Sequence, residues 1–150
     1  MLLGQLLAAM GMQEGLEVSW LASYGPEMGS GSAHCQVCLS NERIGSPLVS
    51  HPDVLIAMNE LSLRKFAAQL EPGGLILYKS ECLPEDFPEP QARVICIPAS
   101  EIADKLGSTK AANIVLLGAR LEETDCLAPK TALSLTQTRL KESRTAGDQP

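Results

Sequence analysis

Aromatic side chains are scarce in this 150-residue chain: five in all, 3% of the residues. Its core therefore has to be built from Leu, Ile, Val, Ala and Met. Basic clusters are missing too. The formal charge is −6, and a nucleic-acid ligand needs a positive footprint to neutralise its phosphates, so the composition argues against direct nucleic-acid binding. No apolar run in the sequence approaches the ~20 residues that span a bilayer, which argues against a membrane role. The opening "MLLGQLLAAMGM" lacks the positive n-region of a signal peptide and reads as an amphipathic helix. Five cysteines, an odd number with no export signal, point to reduced thiols and a cytoplasmic location. Internal repeats are absent, and so is a G-x-S-x-G elbow for a serine nucleophile.

What is present is the pattern of a globular α/β domain, with 45% hydrophobic and 20% charged residues. Leu2, Leu3, Leu6, Leu7 and Met10 share one helical face. "LEVSWLAS" sets Val18, Trp20 and Ala22 against Glu17, Ser19 and Leu21, as in a half-buried strand, and "AHCQVCLS" is strand-like again. "PDVLIAMN" carries a continuous apolar run, Val54 to Met58, as expected of a strand covered on both faces. Asn59 can cap the helix that follows, whose inward stripe is Leu63, Phe66, Ala67 and Leu70. "EPGG" ends that helix and "LILY" is a second buried strand. This strand–helix–strand unit predicts a parallel sheet with helical crossovers.

A proline- and acid-rich loop, "ECLPEDFPEPQ", leads to a third buried strand, "RVICI". "PASEIADKLG" is a short helix, with Ser100 expected to cap it and Gly107 to close it. "KAANIVLLGARLEE" is apolar around most of its circumference, as in a deeply buried helix or one at a subunit contact. The pattern weakens after residue 127. A helix through "TALSLTQTRLKE" and a disordered "SRTAGDQP" are expected there, so the chain divides into a domain over 1–127 and a tail over 128–150. The fold class is three-layer α/β/α, Rossmann-like, with a mostly parallel (mixed) sheet, and the chain opens on a helix where such folds open on a strand and a glycine-rich turn.

Chemistry concentrates in "YGPEMGSGSAHCQVC", residues 24–38. Cys35-x-x-Cys38 suggests zinc or a redox dithiol, but zinc needs four ligands and no second pair exists. Three residues apart on a strand, the two thiols face opposite ways, which defeats joint ligation and easy disulfide closure. The Gly-Ser repeat at 29–32 has the makings of an anion nest, yet it precedes a strand and lacks a helix dipole. Glu27 is a lone loop carboxylate. Asn59 stands at the carboxyl end of a parallel strand, where open α/β sheets place ligand contacts; a plain helix cap explains it equally well. A zinc-stabilised module and a stand-alone Rossmann-like small-molecule binding domain are the rival readings, the second without a dinucleotide fingerprint.

Four stretches in register, "SWLASYGPEM", "IGSPLVSHPDVLIAMNELSLRKF", "LEPGGLILYKS" and "IPASEIADKLGSTKAANIVLLGARLEET", resemble the gamma subunit of 2-oxoacid:ferredoxin oxidoreductases, most of all that of the 2-oxoglutarate enzymes. The resemblance runs from about residue 6 to residue 124. It implies membership of a complex that converts a 2-oxoacid and coenzyme A to an acyl-CoA, carbon dioxide and reduced ferredoxin. In such a complex alpha and beta subunits hold thiamine diphosphate, and beta or delta subunits hold the iron–sulfur clusters. The gamma chain binds none of these alone, carries no catalytic residue and helps enclose the active-site and coenzyme A region. Tyr24, Gly25, Pro26, Glu27, Met28, Gly31 and Asn59 are the residues expected to face that region.

The sequence departs from the family pattern in three ways. The family's opening strand and G-x-G-G-Q-G turn have only Gly4-Gln5 to match their trailing edge. Gly29 holds the place of the arginine in Met-Arg-Gly-Gly-Thr-Ala-Asn-Cys, so a natural anion partner is missing from the loop. The last ~25 residues match poorly. An unpaired strand edge would leave the isolated chain marginally stable, or prone to dimerise and aggregate.

Overall fold

The computed structural model describes residues 2–23, 33–123 and 127–147, with side chains as far as residue 138. Helix α1 (Leu2–Gln13) leads through a turn at Gly15, φ +79°, into strand β1 (Glu17–Ser23). Strand β2 (His34–Ser40) pairs with β1 antiparallel, from Glu17 opposite Ser40 to Ser23 opposite His34. A second sheet follows. Its strands β3 (Val54–Ala57), β4 (Leu75–Tyr78) and β5 (Arg93–Cys96) lie side by side in chain order, all parallel. Helix α2 (Glu60–Ala67) makes the crossover from β3 to β4. Helices α3 (Ala99–Lys105), α4 (Ala111–Glu123) and α5 (Pro129–Gly147) complete the chain. The fold is α/β as read from the sequence, with the mixed strands divided into an antiparallel pair and a parallel trio.

The continuous apolar run of β3 has the double burial it implies. Ile56 and Met58 pack into a core shared with α1, α3 and α4, while Leu55 and Ala57 belong to a second core under α2, with Leu63, Ile76 and Tyr78. Successive residues of a strand alternate faces, so both faces must be covered. Helix α1 lies on the other side of the first core, where Leu3, Leu6, Leu7 and Met10 are buried. Gly4 and Gly11 let it approach the antiparallel pair closely. A Cβ at Gly11 would stand 2.6 Å from Leu39 Cδ2 and 2.8 Å from Val18 Cγ2, and one at Gly4 would meet Cys35 Sγ.

Three expectations change. Ser100 does not cap α3: the helix starts two residues earlier than that cap would place it, Pro98 occupies the cap position, and no side chain bonds there. Ala99 is fully buried, and this packing sets the helix start ahead of local capping preference. Helix α4 buries Ala112, Leu116, Leu117 and Leu121 but leaves Ile114 38% exposed and Gly118 in open space, so it is amphipathic in place. Finally, α5 continues through Gly147, well into the stretch expected to be disordered. Its start is tied down by a distant carboxylate: Glu14 Oε1 accepts hydrogen bonds from the Ala128 amide (2.6 Å) and from Thr131 Oγ1 (2.8 Å). An acid placed there satisfies an orphan amide and complements the positive end of the helix dipole.

Candidate functional site

The carboxyl ends of the three parallel strands form one edge of the molecule. The ladder continues past them, with the Lys79 amide donating to the Ala57 carbonyl (3.0 Å) and the Ile97 amide to the Tyr78 carbonyl (2.8 Å). Asn59 follows β3 on this edge. Its backbone is extended (φ −150°, ψ 167°) and its Oδ1 accepts from the Ser62 amide at 2.8 Å, so the cap read from the sequence is present. One half of the side chain is therefore committed to the helix, and the exposed amide NH₂ keeps two donors for a ligand. Replacing Asn59 by alanine should cost about 0.5–2 kcal/mol of stability, measured by urea unfolding, through loss of the cap.

Beside Asn59, Tyr78 and Cys96 stand opposite each other in register, and burial pushes both the phenol and the thiol above their ordinary titration ranges. Glu101 at the start of α3 bonds Lys105 and is held below the usual carboxylate range, chiefly by that lysine and then by a hydrogen bond with Glu81. Arg64 binds Glu60, one turn earlier on α2, at 2.8 Å and also Asp86 in the proline-rich loop. The Asp86 carboxyl is in turn held below its ordinary range by that guanidinium. Arg64 also lies 5.9 Å from the centre of the Phe87 ring. These contacts strap the loop to α2. The Glu60–Arg64 spacing is visible in sequence as an i,i+4 pair; Asp86, 22 residues on, gave no such signal.

The hairpin mouth is the other candidate. Ser23 and His34 are paired in register, so residues 24–33 connect the two strands. Tyr24, Gly25, Pro26, Glu27, Met28 and Gly31 lie outside the described residues. The base of the hairpin is held against α2 by His34, whose ring meets that of Phe66 at a tilt of 53° with centroids 4.7 Å apart, and against the segment before β3 by Gln36 Oε1, which accepts from the Val49 amide at 2.9 Å. Asn59 and the hairpin base thus lie near opposite ends of one short helix, about 10 Å apart along its axis. Cys35 points toward Gly4 of α1, and Cys38, three residues on, falls on the other face. Among the described residues no group of three or more His, Cys, Asp or Glu side chains could hold a metal ion.

Fold and edge together define the class: a layered α/β domain with a three-stranded parallel sheet, crossed over by a helix, and an antiparallel pair. The chain belongs to the pyruvate ferredoxin/flavodoxin oxidoreductase family, whose family model matches residues 1–144. It is 45% identical over 116 residues to the ketoisovalerate oxidoreductase subunit VorA of Methanothermobacter thermautotrophicus, covering 77% of this chain and 24% of that protein. It is 32% identical over 130 residues to the 2-oxoglutarate synthase subunit KorC of Methanothermobacter marburgensis, covering 83% of this chain and 70% of that one. In structure it is similar to the gamma subunit of a keto/oxoacid ferredoxin oxidoreductase from Geobacter sulfurreducens, with TM-score 0.73 and 26% identity over 92% of this chain and 78% of that one. The chain spans about a quarter of the length of the VorA protein.

Proposed function

We propose that this chain is the gamma component of a 2-oxoacid:ferredoxin oxidoreductase. The assembled enzyme would oxidatively decarboxylate a 2-oxoacid, join the acyl group to coenzyme A and pass two electrons to ferredoxin in the cytoplasm. The observation that carries this reading is the family match over residues 1–144, on a fold like that of a gamma subunit. The substrate is broader than the sequence resemblance implied. A ketoisovalerate-enzyme subunit is more nearly identical than the 2-oxoglutarate-enzyme subunit, so we take a 2-oxoacid as the substrate class and assign the choice among acids to the partner chains.

In this reading the gamma chain is a noncatalytic wall. Thiamine diphosphate and the iron–sulfur clusters belong to alpha, beta or delta partners. A cluster takes several thiolates converging on one point, whereas Cys35 and Cys38 face apart. The hairpin residues Tyr24, Gly25, Pro26, Glu27, Met28 and Gly31, with Asn59, face the composite active site. Asn59→Asp tests the last of these directly. The carboxylate keeps the helix cap but removes the amide donors, so an Asn59 that touches substrate or coenzyme A gives a complex of unchanged stability with a raised KM.

Assembly tests the whole reading. Affinity-tagged chain should recover alpha and beta partners in fixed proportion, and depleting it should abolish turnover of whichever 2-oxoacid those partners accept. A complex that assembles and turns over that acid at full rate without this chain would refute the proposal.

A further inference from the structure

A groove of about 380 Å³ runs along the outer side of α2, between that helix and the proline-rich loop. Its floor is apolar, made of Ala67, Leu70 and Phe87 among others, and Pro88 and Pro90 form one wall. This wall is built in advance. Prolines at 84, 88 and 90 fix backbone torsions, the Phe87 amide closes a turn on the Pro84 carbonyl (3.0 Å), and the Gln91 carbonyl accepts from the Gly73 amide (2.9 Å). The Arg64–Asp86 ion pair ties the loop to α2. A surface ordered beforehand loses little conformational entropy on binding.

Charge decides what fits. Among the described residues Arg64 is the one basic side chain lining the groove, and it is already shared between Glu60 and Asp86. Glu71 and Glu89 also line it, both exposed, and among the described residues neither makes an ion pair. The groove therefore offers an apolar floor lined by two carboxylates that, among the described residues, form no ion pair. Small-molecule sites enclose most of their ligand, whereas this groove is about half open to solvent. A second copy of this chain would bring its own charge of −6 against an acidic rim.

We propose that the groove docks an extended segment of a partner subunit in which an apolar side chain is flanked by Lys or Arg. The proposal rests on the reading of this chain as a gamma component and names the face by which it is held. Location supports it. The groove opens beside Glu71, Pro72, Gln91 and Ala92, at the amino ends of β4 and β5, so a partner seated there leaves the carboxyl edge at Asn59 clear.

The test measures binding of the purified chain to the remaining immobilised subunits at 50 and 300 mM NaCl. Wild-type chain should bind less tightly at the higher salt, since opposite charges across an interface are screened. Glu71→Lys with Glu89→Lys should weaken binding at least tenfold and flatten the salt dependence, and Ala68→Trp, which fills the groove without changing charge, should weaken binding as well. Circular dichroism melts would show that both variants fold. If wild-type chain binds and both folded variants bind equally well, the groove proposal is overturned while the gamma reading stands. If wild-type chain does not bind at all, both fall. A wild-type dimer in sedimentation that Glu71→Lys with Glu89→Lys dissociates would make the occupant a second copy and overturn the proposal in favour of self-association.

Discussion

Leu63→Ala should destabilise the protein by about 2–5 kcal/mol, the range for emptying a leucine-sized volume in a packed core. Leu63 is fully buried among Ala57, Ile76 and Tyr78, and it is the main anchor of α2 on the parallel sheet. Few aromatics are present to fill the space, and the neighbouring β-strand backbones cannot collapse inward without breaking their ladder. For a chain of this size each kcal/mol lowers Tm by about 2–4 °C, so the loss is easily read in a thermal melt. Two residues earlier, Leu61 is 57% exposed, and Leu61→Ala should stay within about 0.5 kcal/mol of wild type. Equal costs at the two sites would contradict the burial of this helix.

Two glycine-to-alanine substitutions should have opposite signs. In a helix interior, alanine is intrinsically better than glycine by roughly 0.5–1 kcal/mol. Gly118, on the exposed side of α4, has nothing within 4 Å of an added Cβ, so Gly118→Ala should raise stability by about that amount. Gly11 in α1 has the same intrinsic gain, yet its Cβ would press on Leu39 and Val18 at 2.6 and 2.8 Å. Valine is stiff at χ1 and cannot turn away cheaply, and overpacking costs about 1–3 kcal/mol. The steric term wins, so Gly11→Ala should lose about 1–2 kcal/mol in urea unfolding. A stabilised Gly11→Ala variant would mean that α1 stands farther from the antiparallel pair.

Legibility followed the range of the interactions. The helix over residues 2–13 and the strands around 17–23, 54–57 and 75–78 emerge where their periodicities place them, because burial on one face or two writes itself into adjacent residues. Asn59 was readable as a cap since its partner amide is three residues away. Ser100 was misplaced as a cap because the burial of Ala99, a tertiary event, moved the helix start. The tail after residue 127 looked weak because its anchor, Glu14, is more than a hundred residues distant.

The candidate site divides in the same way. The opposite facing of Cys35 and Cys38 follows from a two-residue period and was settled by sequence. So were the net charge of −6 and the resemblance carried by stretches such as "SWLASYGPEM". The tertiary structure alone brought His34 onto Phe66, set Asp86 against Arg64, and left Glu71 and Glu89 beside an apolar groove. Residue type and spacing determine which local structure forms and which face is apolar; which distant side chains then meet is decided by how the layers pack. Charge pairing across 22 residues, and a groove bounded by two separate segments, have no counterpart in any local pattern.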